Sequence, residues 1–542
     1  MKRRFFIGGK SSYFSLCFYK TRNSINKDVA IFATDCIMYE SMRITFLNPP
    51  FHPMFSRESR SPCVTKSSTL YWPMFLSYAA GTVEADGNDI QLIDSPAMEL
   101  NLPHTLEGIK IFDPALVVCS TSTPSILNDL KVVHAIKEAL PNVKVAIMGT
   151  HATAEPLESM EMEPSLDFVI IGEADYTARN LVRYLRGDIK DIASIAGLAF
   201  RKEDGSVDFQ PEGPKIENLD ELPWVSKVYR KHLYSCYKKY FYGANLNPLI
   251  VILSGRGCPN RCSYCVIPQT LNGHKFRRRT PKDVVDELQY IKDNFEDLGE
   301  VFFEDDTFTA SHEHVREICN LILERGLKIT WSCNARADVP LDLLKLMKKA
   351  GGREMCVGFE SASPVVLENI HKGVKNTDKA IEFTKNARKA GLLVHGCFMV
   401  GNPGDTPETL RMTLDYAKKL NPNTAQFYPI MAYPGTEAYK EALESGALQT
   451  KDYNQWLDKD GFHRTTIQRG ELTSQALVDF CDKARREFYL RPSYILRQGL
   501  MAIKNPRERY RVFRGFGTLV KHLFRKHGQL APVARQAPTI KE

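Results

Sequence analysis

No stretch of this 542-residue chain stays apolar for the ~18–20 residues that a membrane-spanning helix needs, which argues against an integral membrane protein. Internal repeats at solenoid periods and low-complexity tracts are also missing, so repeat arrays and disordered scaffolds are excluded. There is no G-x-G-x-x-G, and with it goes the support for a nicotinamide enzyme. A disulfide framework is not indicated either, because the 13 cysteines are odd in number and scattered. Most lie in apolar runs, such as Cys119 in LVVCS and Cys397 in VHGCFMV, and read as small buried hydrophobes in a reducing compartment. Nor is there a general cationic coat. The formal charge of +8 is concentrated at the ends, +4 in residues 1–41 and +11 in 483–527, and the body between is mildly acidic.

What is present is a globular balance, 43% hydrophobic and 25% charged. The length suggests several domains at roughly 150 residues each. Residues 1–41 have no cleavage site after an apolar stretch and read as a disordered extension or a misassigned start. Over 42–190, short apolar runs (Arg43–Leu47, Ile90–Asp94, Ala115–Cys119, Val143–Met148, Phe168–Ile171) alternate with helical patterns such as Ser125–Leu140. Unalternated strands between helices predict an open parallel Rossmann-like sheet covered on both faces. Its ligand rim would lie at the loops NPP, TSTP, GTHA and GEAD, beyond the strand C-termini. Residues 191–235 read as a linker with a hairpin around EDGS. Over 236–450 six βα units predict a (β/α)6 partial barrel, with strands ending at Ser254, Glu304, Ser332, Glu360, Gly401 and Pro429. Residues 451–542 read as a helical, basic C-terminal region.

The decisive feature follows the first barrel strand: GRGCPNRCSYC, with Cys258, Cys262 and Cys265 spaced C-x3-C-x2-C. Three thiolates on one short loop suit three irons of a cubane, and the missing fourth ligand leaves one iron open for chemistry. A structural zinc site would need a fourth ligand, for which His274 is nearest.

This loop, with the aromatic Tyr264 before its last cysteine, resembles the radical S-adenosylmethionine (SAM) superfamily. The resemblance implies a 4Fe-4S cluster whose open iron binds SAM, and cleavage of SAM to a 5′-deoxyadenosyl radical. It also implies cofactor contacts from Tyr264, from Glu304, Asp305 and Asp306 toward the SAM amino group, and from Asn334, Arg336 and Glu360 toward its ribose or carboxylate. The turn Phe398–Gly404 would pack adenine against backbone. No catalytic residue is assigned beyond these, and Tyr428, Tyr433 and Cys397 are only candidates for a second hydrogen donor.

Residues 42–190 resemble the cobalamin-binding domain that precedes the barrel in one subclass, on LNPP, GTHATAEP and GEADYT. The D-x-H-x-x-G motif is absent, which leaves cobalamin held without a protein histidine or a domain that binds no corrinoid. More specific runs, Tyr71-Trp72-Pro73, PQT at 268–270, FFEDDTFTAS, ITWSCNARADV and VGFESAS, resemble hopanoid-biosynthesis-associated radical SAM proteins of the bacteriohopanetetrol cyclitol ether synthase type. They imply remodelling of a polar head group on a lipid or isoprenoid substrate, fed by a flavodoxin- or ferredoxin-type low-potential electron donor. The alternatives are a cobalamin-dependent C-methyltransferase and a non-catalytic cobalamin/SAM sensor. In the tail, Phe513, Phe516, Leu519, Val520, Leu523 and Phe524 fall on one helical face, opposite Arg511, Arg514, Lys521 and Arg525. Such a helix predicts a cytoplasmic protein with peripheral contact at the inner face of the cell membrane, and no nucleic-acid partner.

Overall fold

The protein is described by a computed structural model covering residues 41–373 and 376–523, apart from several side chains after Arg509. The extension read before Met42 lies outside these residues, except for Ser41.

Two sheets build one compact unit. The first contains β1 (Arg43–Asn48), β2 (Asp89–Asp94), β3 (Leu116–Thr121), β4 (Lys144–Gly149), β5 (Phe168–Ile170), β6 (Leu198–Arg201) and β7 (Val207–Phe209) in the order β2-β1-β3-β4-β5-β6-β7. Pairing from β2 across to β5 is parallel, as the unalternated runs require; β3 is buried at every residue. The hairpin expected inside a linker is formed, but β6 and β7 continue the sheet antiparallel at its edge. The sheet is therefore mixed.

The second sheet contains β8 (Leu249–Ile252), β9 (Glu300–Phe303), β10 (Trp331–Ala335), β11 (Gly352–Gly358), β12 (Leu393–Val400) and β13 (Thr424–Pro429). All six are parallel and adjacent in chain order, the signature of a partial βα barrel. Two of the helices between them start on polar caps that show the local logic: Thr280 accepts from Asp283 N, and Thr406 with Thr409 forms a capping box.

Trp72 fastens the two sheets. Its ring stacks on Tyr229 and Tyr240 at centroid distances of 4.0 and 3.7 Å, and its Nε1 donates to Leu249 O on β8 (3.1 Å).

The C-terminal region is less helical than the sequence predicts, since helix begins only at Ser474 and runs Ser474–Tyr489, Pro492–Lys504 and Pro506–Leu523. The first of these covers the edge strand: Tyr489 Oη accepts from Ala425 N and donates to Ala425 O, both at 2.8 Å, closing an exposed backbone row. In the last helix the described side chains follow the predicted polarity only in part. Arg511 is buried against Glu508 (2.6 Å), Arg514 lies over the Phe241 ring (3.6 Å), and Phe513 is exposed. At Arg511, pairing with a buried carboxylate outweighs the pattern on the helix wheel. The remaining positions of that pattern lie outside the described side chains.

Candidate active site

Gly255–Arg256 pairs antiparallel with Arg277–Arg278, and this ribbon closes the base of the loop that carries Cys258, Cys262 and Cys265. Gly257 opens the loop at φ +89, where a Cβ would stand 2.2 Å from Lys275 O; no other residue fits. Gln269 Nε2 gathers the carbonyls of Cys262 (3.2 Å), Ser263 (3.1 Å) and Cys265 (3.0 Å). His274 turns Nδ1 to the carbonyls of Cys258 (3.2 Å) and Asn260 (3.1 Å) and so shapes the loop; it is not among the residues facing the cavity. All three thiols face one cavity of about 1730 Å³. Three thiols with the nearest histidine turned to backbone fit a cubane with one open iron rather than a closed four-ligand zinc site.

The three acidic residues after β9 part company. Glu304 faces the cavity in an ion pair with Arg60, and Asn334 Nδ2 donates to it (3.3 Å) and to Asp305 O (3.1 Å). Burial raises the Glu304 carboxyl, and Arg60 opposes that shift. Asp306 lines the same wall and accepts from Gly257 N (3.0 Å) and Asn272 Nδ2 (2.8 Å). Asp305, predicted as a cofactor contact, points away: it is fully buried and accepts from Ser254 N (2.7 Å) and Ser254 Oγ (2.6 Å). Burial pushes it up to about 7, against those hydrogen bonds. Its role is to tie β9 to the end of β8.

On the opposite side Glu360 gathers Tyr264 Oη (3.0 Å), Tyr428 Oη (3.2 Å) and Lys372 Nζ (3.1 Å). Burial lowers and Glu360 raises the Lys372 ammonium, which ends above its ordinary value. Gly358 makes room for this pair, since a Cβ there would meet Glu360 Oε1 at 2.2 Å. Arg336 donates to Asn260 Oδ1 (2.6 Å) and pairs with Asp338 (2.9 Å), so it braces the cysteine loop as it faces the cavity. Charged groups of both signs around one chamber suit the zwitterionic end of SAM. Of the run Phe398–Gly404 only Met399 lines it: Gly401 faces Leu477 and Gly404 faces Asn369.

Sequence reasoning missed Arg60, Ser61 and His463. Arg60 comes from the first unit, on the long loop from Pro49 to Pro73, and crosses to Glu304 and to the carbonyl of Asp305 (3.1 Å). The length of that loop, far above the usual βα connection, was the available signal. Ser61 Oγ, Tyr433 Oη and His463 Nε2 lie 3.0–3.3 Å apart on the cavity wall. Burial lowers His463 to about 4, so it is neutral at pH 7.

Of the four predicted rim loops, GEAD is used differently. Asp175 accepts from Arg256 (2.7 and 3.1 Å) and Glu173 from Arg277 (2.7 and 2.9 Å), all nearly inaccessible to solvent, which locks the first sheet to the ribbon under the cysteine loop. Arg256→Ala leaves Asp175 buried without its counter-charge and is expected to cost about 3–5 kcal/mol in denaturant unfolding. The remaining rim holds the buried hydroxyls of Ser122, Thr123 and Ser125. His151 Nδ1 meets Thr123 Oγ1 (3.2 Å), while His151 Nε2 and Trp456 Nε1 are buried without a partner. Such orphaned atoms mark a place for a polar group, and they fit the polar periphery of a corrinoid, with the loop carrying Tyr453 and Trp456 lying over them.

Residues 252–417 match the radical SAM superfamily and residues 61–182 match the B12 binding domain. An uncharacterized methyltransferase of Pyrococcus horikoshii is 31% identical over 426 residues, 78% of this chain and 89% of the relative. The chain thus belongs to the radical SAM superfamily, in the group with an N-terminal cobalamin-binding domain, and is an enzyme with an iron–sulfur and SAM site. Hopanoid C-3 methylase of Methylococcus capsulatus is 26% identical over 412 residues, 72% of this chain and 73% of that enzyme. The radical SAM methyltransferase TsrM from Kitasatospora setae, solved with cobalamin and a 4Fe-4S cluster, aligns with a TM-score of 0.65 at 17% identity, covering 81% of this chain and 90% of that one. At such identity the likeness is one of fold.

Proposed function

We propose that the protein is a cobalamin-dependent radical SAM methyltransferase acting on a large, mostly apolar substrate of the isoprenoid-lipid class. One observation carries this reading: the cysteine loop and the first unit's loop from Arg60 to Tyr71 face each other across a single cavity. When bound, the cluster and the corrinoid supply the electron that cleaves SAM and a carrier for a methyl group. The chain's own residues do the rest. Glu360, Lys372 and Tyr264 fix charge and orientation on one wall, and Arg60 neutralises Glu304 on the other. His463 Nε2, neutral and bonded to Ser61 and Tyr433, fixes these two hydroxyls on the chamber wall.

The substrate class rests on size and course. At about 1730 Å³ the cavity exceeds the usual ~300–1,000 Å³ of small-ligand sites, which leaves room for a substrate beside SAM and the cluster. It runs from the cysteines at the strand C-termini down to Lys328–Thr330 at the other end of the barrel, where Tyr494, Gln498 and Arg511 close it. A long apolar molecule fits that course. Two relatives, the Pyrococcus horikoshii methyltransferase and the Methylococcus capsulatus hopanoid C-3 methylase, are named for methyl transfer, and the second names a hopanoid.

Anaerobic turnover with SAM, a strong reductant and a hopanoid-containing lipid extract is expected to yield 5′-deoxyadenosine, S-adenosylhomocysteine and a lipid one methylene heavier. Deoxyadenosine with an altered head group and no S-adenosylhomocysteine would put polar head-group remodelling in place of methylation. Absence of both nucleosides would leave the sensor reading.

Among the described residues no helix is long and apolar enough to cross a membrane. The helix Pro492–Lys504 nevertheless exposes Ile495, Leu496, Leu500 and Ile503, beside exposed Lys504, Arg507 and Arg509. We assign membrane-surface contact to this helix rather than to the tail beyond it. Leu496→Asp with Ile503→Asp should lower co-sedimentation with anionic vesicles at least ~10-fold. The melting temperature should stay put, because both side chains are exposed.

A further inference from the structure

Two further thiols and an imidazole face the same cavity from the barrel wall, away from the cysteine loop. On β12, His395 and Cys397 are two residues apart and so project to the same side of the sheet. On the neighbouring β11, Cys356 is the register partner of His395. One ligand atom from each lies within 4.8 Å of the other two, and Cys356 Sγ is 3.8 Å from Cys397 Sγ. All three are half-buried and open to the cavity.

We infer that Cys356, His395 and Cys397 hold a zinc-class divalent cation, with its fourth position directed into the cavity. Two thiolates about 2.3 Å from a tetrahedral zinc stand about 3.8 Å apart, which is the separation found here. Three thiolates of a cubane sit on three different irons and must be wider apart. Among the described residues the loop cysteines do not form so tight a group. His395 Nδ1 meets Thr424 Oγ1 at 2.7 Å, and the ring also hydrogen-bonds Gln426, outer contacts of the kind that orient a metal-bound imidazole.

A second observation points the same way. Glu354, two residues before Cys356, lines the cavity and is 3% exposed. One of its oxygens is held by Arg353 (2.9 Å), and the other, Oε1, has no partner. A buried acceptor left bare beside two thiols favours positive charge nearby. Sulfur and nitrogen donors exclude magnesium and calcium, which want oxygen. Two thiolates and a neutral imidazole balance a divalent charge. The open fourth position would take water or a substrate hydroxyl, giving the chamber a second anchor on the β11–β12 wall. This assignment does not depend on methyl transfer.

The test separates this cation from the cluster. The full chain carrying Cys258→Ala, Cys262→Ala and Cys265→Ala, purified anaerobically, is titrated with Co2+ and with Zn2+. One equivalent of either should bind, and Co2+ should show intense sulfur-to-cobalt charge-transfer absorption. Adding Cys356→Ser and Cys397→Ser should abolish that absorption and weaken binding at least 100-fold, and His395→Ala should weaken it ~10–100-fold. In the unsubstituted protein, zinc-edge absorption should report two sulfur neighbours at about 2.3 Å; this arm stands even where a substituted chain fails to fold. Three outcomes would overturn the assignment: no stoichiometric uptake, uptake indifferent to Cys356 and Cys397, or a Cys356–Cys397 disulfide in the anaerobic protein.

Discussion

Alanine at Cys258, Cys262 or Cys265 is expected to take bound iron from about four per chain to near zero, and to push deoxyadenosine formation below detection. Each thiol is a ligand to a different iron, so the loss of one cannot be shared among the other two. The effect should fall on the cluster and not on the fold. The loop is held by backbone contacts through Gln269, His274 and Gly257, none of which involves a cysteine side chain. Cys262 and Cys265 open onto the cavity, and burial raises both thiols above their ordinary range, so they are neutral until a cation claims them. Far-UV circular dichroism and the melting temperature of the apo proteins should therefore change little, while iron content and the visible absorption collapse. A single variant that still formed deoxyadenosine at more than a few per cent of the original rate would refute the assignment.

That loop was readable because its information is local: three thiols within eight residues, next to a glycine that only a tight turn requires. The two sheets were readable for a similar reason, since burial on both faces writes itself as unalternated apolar runs such as LVVCS. What escaped depends on residues far apart in the chain. Arg60 gains meaning only from Glu304, 244 residues on. Glu173 and Asp175 look like a ligand rim until Arg256 and Arg277 are brought beside them. Asp305 sits between two cavity-facing carboxylates, and only the alternation at the end of β9 tells it apart. Cys397 read as an ordinary buried thiol because its strand is apolar; the signal was His395 two residues earlier, which places both on one face. In the last helix the wheel pattern misplaces Arg511, because Glu508, three residues earlier on the same helix, holds its guanidinium in the interior.

A large, pH-dependent effect on stability is expected at Arg353, the cation at the base of the barrel. It is 5% exposed and meets Glu508 (2.6 and 3.0 Å), Glu354 (2.9 Å), Glu300 (3.3 Å) and Ala244 O (3.1 Å). One guanidinium thus serves carboxylates from β9, β11 and the final helix, with Arg511 assisting at Glu508. Arg353→Met keeps much of the volume but strands these acids, and should cost about 3–5 kcal/mol near pH 8, a large part of a typical folding free energy. The dependence on pH gives the claim its sharper form. In the native protein burial works against Glu508, yet Arg353 and Arg511 bring its carboxyl down to about 2. Its folded value lies below the ordinary 4.5, so its contribution is complete above pH 4.5 and is lost as pH falls toward 2. Burial already raises Glu300 to about 7 with Arg353 in place. Without Arg353, Glu300 and Glu508 should both protonate more readily in the folded state than in the unfolded one. The variant should therefore lose stability as pH rises from 4.5, by up to ~1.4 kcal/mol per unit for each acid that titrates. The gap between native protein and variant is then widest at pH 8 and narrows on acidification to pH 5, measured by urea unfolding at each pH. Adding Glu508→Gln to Arg353→Met should recover part of the loss at pH 8 and little at pH 5. A gap that stayed constant with pH would mean that lost packing, not stranded charge, is what Arg353 prevents.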